Sequence, residues 1–263
     1  FKDVCQKILN AGIIPIYECV SDGWHHVLWF PELGGRYEEL NPGLADKLNS
    51  NETTFEQNET MLEALTQLKE LIDLGYFGKN YMSNTYADTE KNMASGEYAM
   101  TVYNQGLPQQ IENAYPDVKA DTFGFFVIPL VDNQILNVNP AGPSIFVYSG
   151  SKNIDAAKQY LAYIAKPENL QYILDNTPKF NSLPFSGLND KYSDEIRNFY
   201  NAYPKHGTVY QTQIKYLNPQ WLEIGKDLSA MFTDAMQPID VLKSIDKRRS
   251  DAAKAAKDPN WVN

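Results

Sequence analysis

Apolar residues recur in this chain at the spacing of one helix face. Met61, Leu62, Leu65, Leu68, Leu71, Ile72 and Leu74 repeat with the helical period, and Gly75 stops the run, which predicts a helix over 61–74. A shorter helix is expected over 87–94, closed by Gly96, a residue suited to the left-handed turn that ends helices. Beyond it the period changes. Ala99, Met100 and Val102 are what a short buried strand needs, so 98–103 is predicted as a strand. Residues 123–130 are almost continuously apolar, the pattern of a strand buried on both faces, and 145–148 reads as another. Asp155 is expected to cap an Ala-rich helix to Ala165, and Pro167 to open the next one. The stretch 176–190 is rich in Pro, Gly, Asn and Ser and reads as loop. Helices are predicted over 194–203, 219–235 and 238 to about 257. Alternating helices and strands imply an α/β fold.

The polar, uncharged residues Tyr103, Asn104 and Gln105 follow the predicted strand directly, where a rigid element presents side chains at a cleft edge. The run Glu90-Lys-Asn-Met-Ala-Ser-Gly-Glu-Tyr-Ala-Met-Thr-Val-Tyr-Asn-Gln105 resembles a segment of the extracellular solute-binding proteins that feed bacterial ABC sugar importers, the maltose-binding-protein-like group. Further pieces match in order. They are the helix at Phe1, the strand at 12–17, the paired glycines Gly34 and Gly35, Phe126-Val-Ile-Pro129, Ala141-Gly-Pro-Ser-Ile-Phe-Val147, and Asp155-Ala-Ala-Lys-Gln-Tyr-Leu161 followed by Lys166-Pro-Glu168.

The resemblance implies a periplasmic-binding-protein-like (type II) two-lobed α/β fold. In that reading 1–141 is the first part of the C-terminal lobe, 142–207 crosses to the N-terminal lobe, and 208–263 closes the C-terminal lobe. It implies capture of a sugar or oligosaccharide in an interlobe cleft and delivery to ABC permease subunits. Such proteins are periplasmic or cell-surface lipoproteins. A signal segment, a lipid anchor and most of the first lobe are expected before Phe1, which makes the chain a fragment or, alternatively, a short natural paralogue. The membrane would be reached only through that anchor.

Candidate contacts follow from residues and resemblance together. Asp22, in Ser21-Asp-Gly-Trp-His25, could accept two sugar hydroxyls, or simply form an Asp-Gly turn. Trp24 could stack on a pyranose or start a helix through Trp29; His25 lies beside it. Trp221 follows Asn218-Pro219-Gln220 at a helix start, where core periodicity does not require an indole and where the family places a stacking aromatic. Gly142 could bare its backbone to a ligand or act as a hinge. Two departures from the maltose-binding pattern stand out. Gly225 replaces an Arg, and the tip at Tyr103–Gly106 lacks a Trp, which weakens maltodextrin as the ligand.

Composition narrows the classes. With 263 residues and 43% hydrophobic content the chain can bury one large core or two smaller ones, and no apolar run reaches the length of a membrane span. A net charge of −10 disfavours nucleic acid. Seventeen Tyr and four Trp suit sugar recognition, although most Tyr fill core and rim. Cys5 and Cys19 read as two buried thiols, with a disulfide geometrically open. His25 and His26 point apart, and no ligand at helical spacing completes a metal site. No cofactor is expected. With no nucleophile elbow, phosphate loop or His-Glu-x-x-His, an enzyme is not expected either. The alternatives are a binder of polyamine, ferric ion or peptide, or a scaffold or adhesion module on the same fold.

Overall fold

The computed structural model of the chain describes residues 1–140, 145–177 and 180–261. In chain order its elements are α1 (Lys2–Asn10), β1 (Ile14–Tyr17), α2 (Gly34–Leu40), α3 (Leu44–Asn49), α4 (Glu59–Asp73), α5 (Thr89–Ala94), β2 (Tyr98–Thr101), α6 (Leu107–Ala114), β3 (Leu136–Val138), α7 (Ile154–Ile164), α8 (Pro167–Asn176), α9 (Asp194–Ala202), β4 (His206–Thr208), α10 (Tyr210–Gln213), α11 (Trp221–Phe232) and α12 (Pro238–Ala255). The chain divides into two compact units. Phe1–Val102, Phe126–Pro140 and Tyr203–Asn263 make the first; Tyr103–Phe125 and Ala141–Ala202 make the second.

The first unit is built on α4. The Asn58 side chain accepts a hydrogen bond from the Met61 amide at 2.9 Å, so the helix starts two residues before its apolar stripe. Met61, Ala64, Leu65, Leu68 and Leu71 are buried, and Gly75, at φ +77°, ends the helix. They pack in one core with Ile224, Leu228 and Met231 of α11, Val241, Leu242 and Ile245 of α12, and Phe30, Tyr37, Phe55 and Phe77. Each large side chain buried this way stabilises the unit by about 1.5–3 kcal/mol. Two parallel strand pairs flank the helices. β1 pairs with β2, Ile14 opposite Tyr98 and Tyr17 opposite Thr101, and β3 pairs with β4, Leu136 opposite His206.

The paired glycines acquire a steric reason. A Cβ on Gly34 would enter the Thr208 carbonyl, and one on Gly35 would lie 2.7 Å from the Gly207 Cα. The first turn of α2 therefore rides directly on the backbone of β4. Cys5 and Cys19 are both buried free thiols.

In the second unit, α6 buries Leu107 and Ile111, α8 buries Leu170 and Leu174, and α9 buries Ile196 and Phe199. Helix α7 has no fully buried residue, its face Ile154, Leu161 and Ile164 being half-buried; its N-cap is Asn153, and Asp155 lies instead in the first turn, where the helix dipole favours a carboxylate.

Two expected strands do not form. Residues 123–129 are irregular, with Phe126 exposed and Phe125 half-buried, and 145–148 are irregular with Ile145 69%, Phe146 87% and Tyr148 76% exposed. Apolar sequence supplies strand propensity, but a strand also needs a ladder beside it, and no described residue pairs with either run.

Candidate functional site

The chemistry of the first unit concentrates where β1 ends. Residues 84–86 are stitched to that end by three bonds. The Tyr17 hydroxyl donates to the Thr85 carbonyl at 2.7 Å, the Asn84 amide to the Glu18 carbonyl at 3.0 Å, and the Tyr86 backbone N–H to the Asp22 carboxylate. Gly23 turns the loop at φ +76°, its N–H donating to the Val20 carbonyl at 2.9 Å. The result lays the Tyr86 ring against Trp24, centroids 5.0 Å apart.

Trp221 reaches the same place from α11. Its indole N–H donates to the Trp24 carbonyl at 3.0 Å. Gly225 makes that approach possible, since any Cβ there would collide with the Gly23 carbonyl oxygen. The substitution that looked like a lost Arg is the condition for α11 to sit on this loop. Trp24, Tyr86 and Trp221 are all half-buried, which leaves aromatic surface facing water.

Beneath the aromatics is a buried ion pair. Glu18 Oε1 lies 2.5 Å from His25 Nδ1, its Oε2 accepts from the Trp29 indole at 2.6 Å, and His25 Nε2 meets the Val102 carbonyl at 2.8 Å. Both partners of His25 are acceptors, an arrangement that suits an imidazolium with a proton on each ring nitrogen. Burial opposes that charge, but the Glu18 carboxylate and the Val102 carbonyl outweigh it and raise the His25 pKa. Burial likewise opposes ionised Glu18, and His25, Trp29 and the Cys19 amide reverse the balance and lower its pKa. His26 behaves oppositely. Burial lowers its pKa, its Nε2 donates to the Gly225 carbonyl at 2.7 Å, and its Nδ1 has no partner among the described residues.

Glu18, Cys19 and His25 bring one ligand-type atom each within 4.8 Å of one another. Reading for helical spacing missed this grouping, which the end of β1 creates. The Glu18 and His25 donors are committed to the bonds above, and burial together with the Glu18 and Asp22 charges raises the Cys19 thiol pKa, so the cluster is a hydrogen-bonded ion pair rather than a cation cradle.

Of the expected contacts, Asp22, Trp24, His25 and Trp221 come together in the first unit. The expectation that His25 faces a ligand is corrected: it is 1% exposed with both nitrogens engaged, and it supports the site from below. Tyr103, Asn104 and Gln105 belong to the second unit. There Asn104 Oδ1 accepts from the Gly106 amide at 2.9 Å, and Gln105 donates to the Tyr200 hydroxyl at 3.1 Å. Gly142 lies outside the described residues. Tyr86 was not foreseen. The sole signal for it was its position just before the 87–94 helix.

The family model for bacterial extracellular solute-binding proteins matches residues 1–205, and the chain belongs to that family. A search of curated proteins gave no match. Among solved structures, a chitin oligosaccharide binding protein superposes with TM-score 0.72 at 15% identity, covering 97% of this chain and 64% of that one. A sugar transporter of Bacillus licheniformis in complex with stachyose gives 0.68 at 14%, covering 94% and 63%. The solute-binding protein RafE in complex with raffinose gives 0.65 at 16%, covering 94% and 64%. The fold is therefore periplasmic-binding-protein-like, and the chain spans about two thirds or less of these structures. The family and these relatives are binding proteins, extracellular by family. Among the described residues no helix is long and apolar enough to cross a membrane.

Proposed function

We propose that the chain is the sugar-recognising part of a solute-binding protein that captures a sugar or oligosaccharide and hands it to the permease of an ABC importer, from the periplasm or as a cell-surface lipoprotein. The observation that carries this reading is the aromatic group Trp24, Tyr86 and Trp221, fixed by backbone hydrogen bonds beside the Asp22 carboxylate. Pyranose rings present C–H faces that stack on such surfaces, and carboxylates accept their hydroxyls. The reading is also supported by the relatives solved with stachyose and raffinose. On this reading Tyr103, Asn104 and Gln105 are further contacts by resemblance, Gly142 is a further contact through its bare backbone, and 142–207 belongs to the first lobe. Binding proceeds without turnover.

Thermal shift of the intact parent protein against a sugar panel tests the proposal. A cognate sugar at a hundred times its Kd stabilises by about 2.7 kcal/mol. A shift with polyamines, peptides or ferric ion and none with sugars would sink the carbohydrate assignment.

A further inference from the structure

The His25–Glu18 pair connects two parts of the first unit that the binding surface alone does not explain. One end of the imidazolium holds Glu18, at the end of β1. The other holds the carbonyl of Val102, the last residue of the unit's first segment, just past β2. The ring also lies under the aromatics, its centroid 5.2 Å from Trp24 and 5.8 Å from Tyr86. A neutral imidazole keeps one N–H and so can serve only one of the two acceptors.

We propose that the His25 imidazolium is a positioning residue that ties the Trp24–Tyr86 surface to the end of β2, so that ligand affinity at this surface follows the protonation of His25. The affinity part rests on the carbohydrate reading above; the protonation part does not. Among the described residues, few groups face His25. Glu18, Cys19 and Asp22 come from the end of β1, Tyr86 from the turn before α5, and His26 from its own turn, held neutral. The end of β2 offers the Val102 carbonyl. Helix α11 offers backbone here, with Glu223 paired to Lys226 and Asp227 to Arg248. Glu18 is thus the dominant charge.

The sign follows from the two groups. His25, raised by Glu18, gives a contribution that is full below its unfolded value of about 6.5 and is lost as pH rises through the folded one. Glu18, lowered, gives one that is full above its unfolded value and lost as pH falls through its folded one. The tie holds between the two folded midpoints and is released on the alkaline side by His25.

Long-range proton–nitrogen NMR of the histidine rings in the intact chain tests the assignment across neutral to alkaline pH. Both His25 nitrogens should be protonated at pH 7, His26 should be a neutral Nε2–H tautomer, and the Tyr103 amide shift should move with the His25 midpoint. In Glu18→Gln that midpoint should fall. A neutral His25 at pH 7, or a midpoint unmoved by Glu18→Gln, overturns the proposal; the wild-type titration decides the first point even if the variant fails to fold. Calorimetry with raffinose and stachyose as probes tests the consequence, with affinity expected to fall about tenfold across the His25 midpoint. Binding that ignores this midpoint overturns the positioning role. If neither sugar binds at any pH while the NMR titration is as expected, the carbohydrate reading fails and the imidazolium assignment stands.

Discussion

Single side chains decide what the candidate surface can do. Trp221→Phe keeps a ring but removes the donor to the Trp24 carbonyl, leaving that acceptor to find water. Sugar affinity should drop about tenfold, close to one hydrogen bond, and Trp221→Ala should cost more because stacking area goes too. Calorimetry with the sugar selected by the panel checks this; an unchanged Kd for Trp221→Ala would remove Trp221 from the site. Glu32 gives a prediction about stability. Burial pushes its pKa up to about 7, and no cation pairs with it among the described residues. Its contribution is full below the unfolded value of about 4.3 and is lost as pH rises through 7, so the native state should weaken by about 1–3 kcal/mol across that window. Glu32→Gln should flatten the dependence in urea titrations between pH 4 and 8. Residues such as Trp24 and Trp221 were legible because an indole outside core periodicity is conspicuous in sequence. Tyr86 was not, because the bonds that place it join Tyr17, Glu18 and Asp22 to residues more than sixty positions away.

At the scale of elements, glycine governs how closely backbones meet. Gly225→Ala puts a methyl into the Gly23 carbonyl, so either α11 moves off the loop or Gly23 gives way. About 2 kcal/mol or more of stability should be lost, within the range of overpacking in tight cores, and Trp24 emission should shift as Trp221 withdraws. A variant as stable as the parent would show that α11 does not depend on this contact. Gly35→Ala should act similarly against β4. The same distinction between local and distant causes explains which elements could be read from sequence. Helix α4 declares itself through the apolar period from Met61 and the stop at Gly75, while its Asn58 cap emerges with the structure. The runs 123–130 and 145–148 carry strand-like composition, yet a strand is a property of two segments, and composition says nothing of whether the second is present.

The two units differ in how well they cover their apolar surface. The first has a core of large residues with near-zero exposure, whereas the second leaves Phe146, Tyr148, Tyr160, Tyr163, Tyr172 and Phe185 more than half exposed. Where such exposed aromatic surface is contiguous it favours association. Opposing it is the net charge of −10, which makes copies repel over roughly a Debye length. Salt separates these effects. Hydrophobic contact is indifferent to or strengthened by salt, while repulsion between acidic copies is screened. Light scattering of the 263-residue chain should therefore show association that grows with ionic strength, accompanied by binding of an apolar dye. Phe146→Ser with Tyr148→Ser should reduce both, because the two side chains sit in irregular backbone and are 87% and 76% exposed among the described residues, so their loss removes surface without leaving a cavity. A chain that stays monomeric and dye-free in high salt would mean that these aromatics are covered in solution.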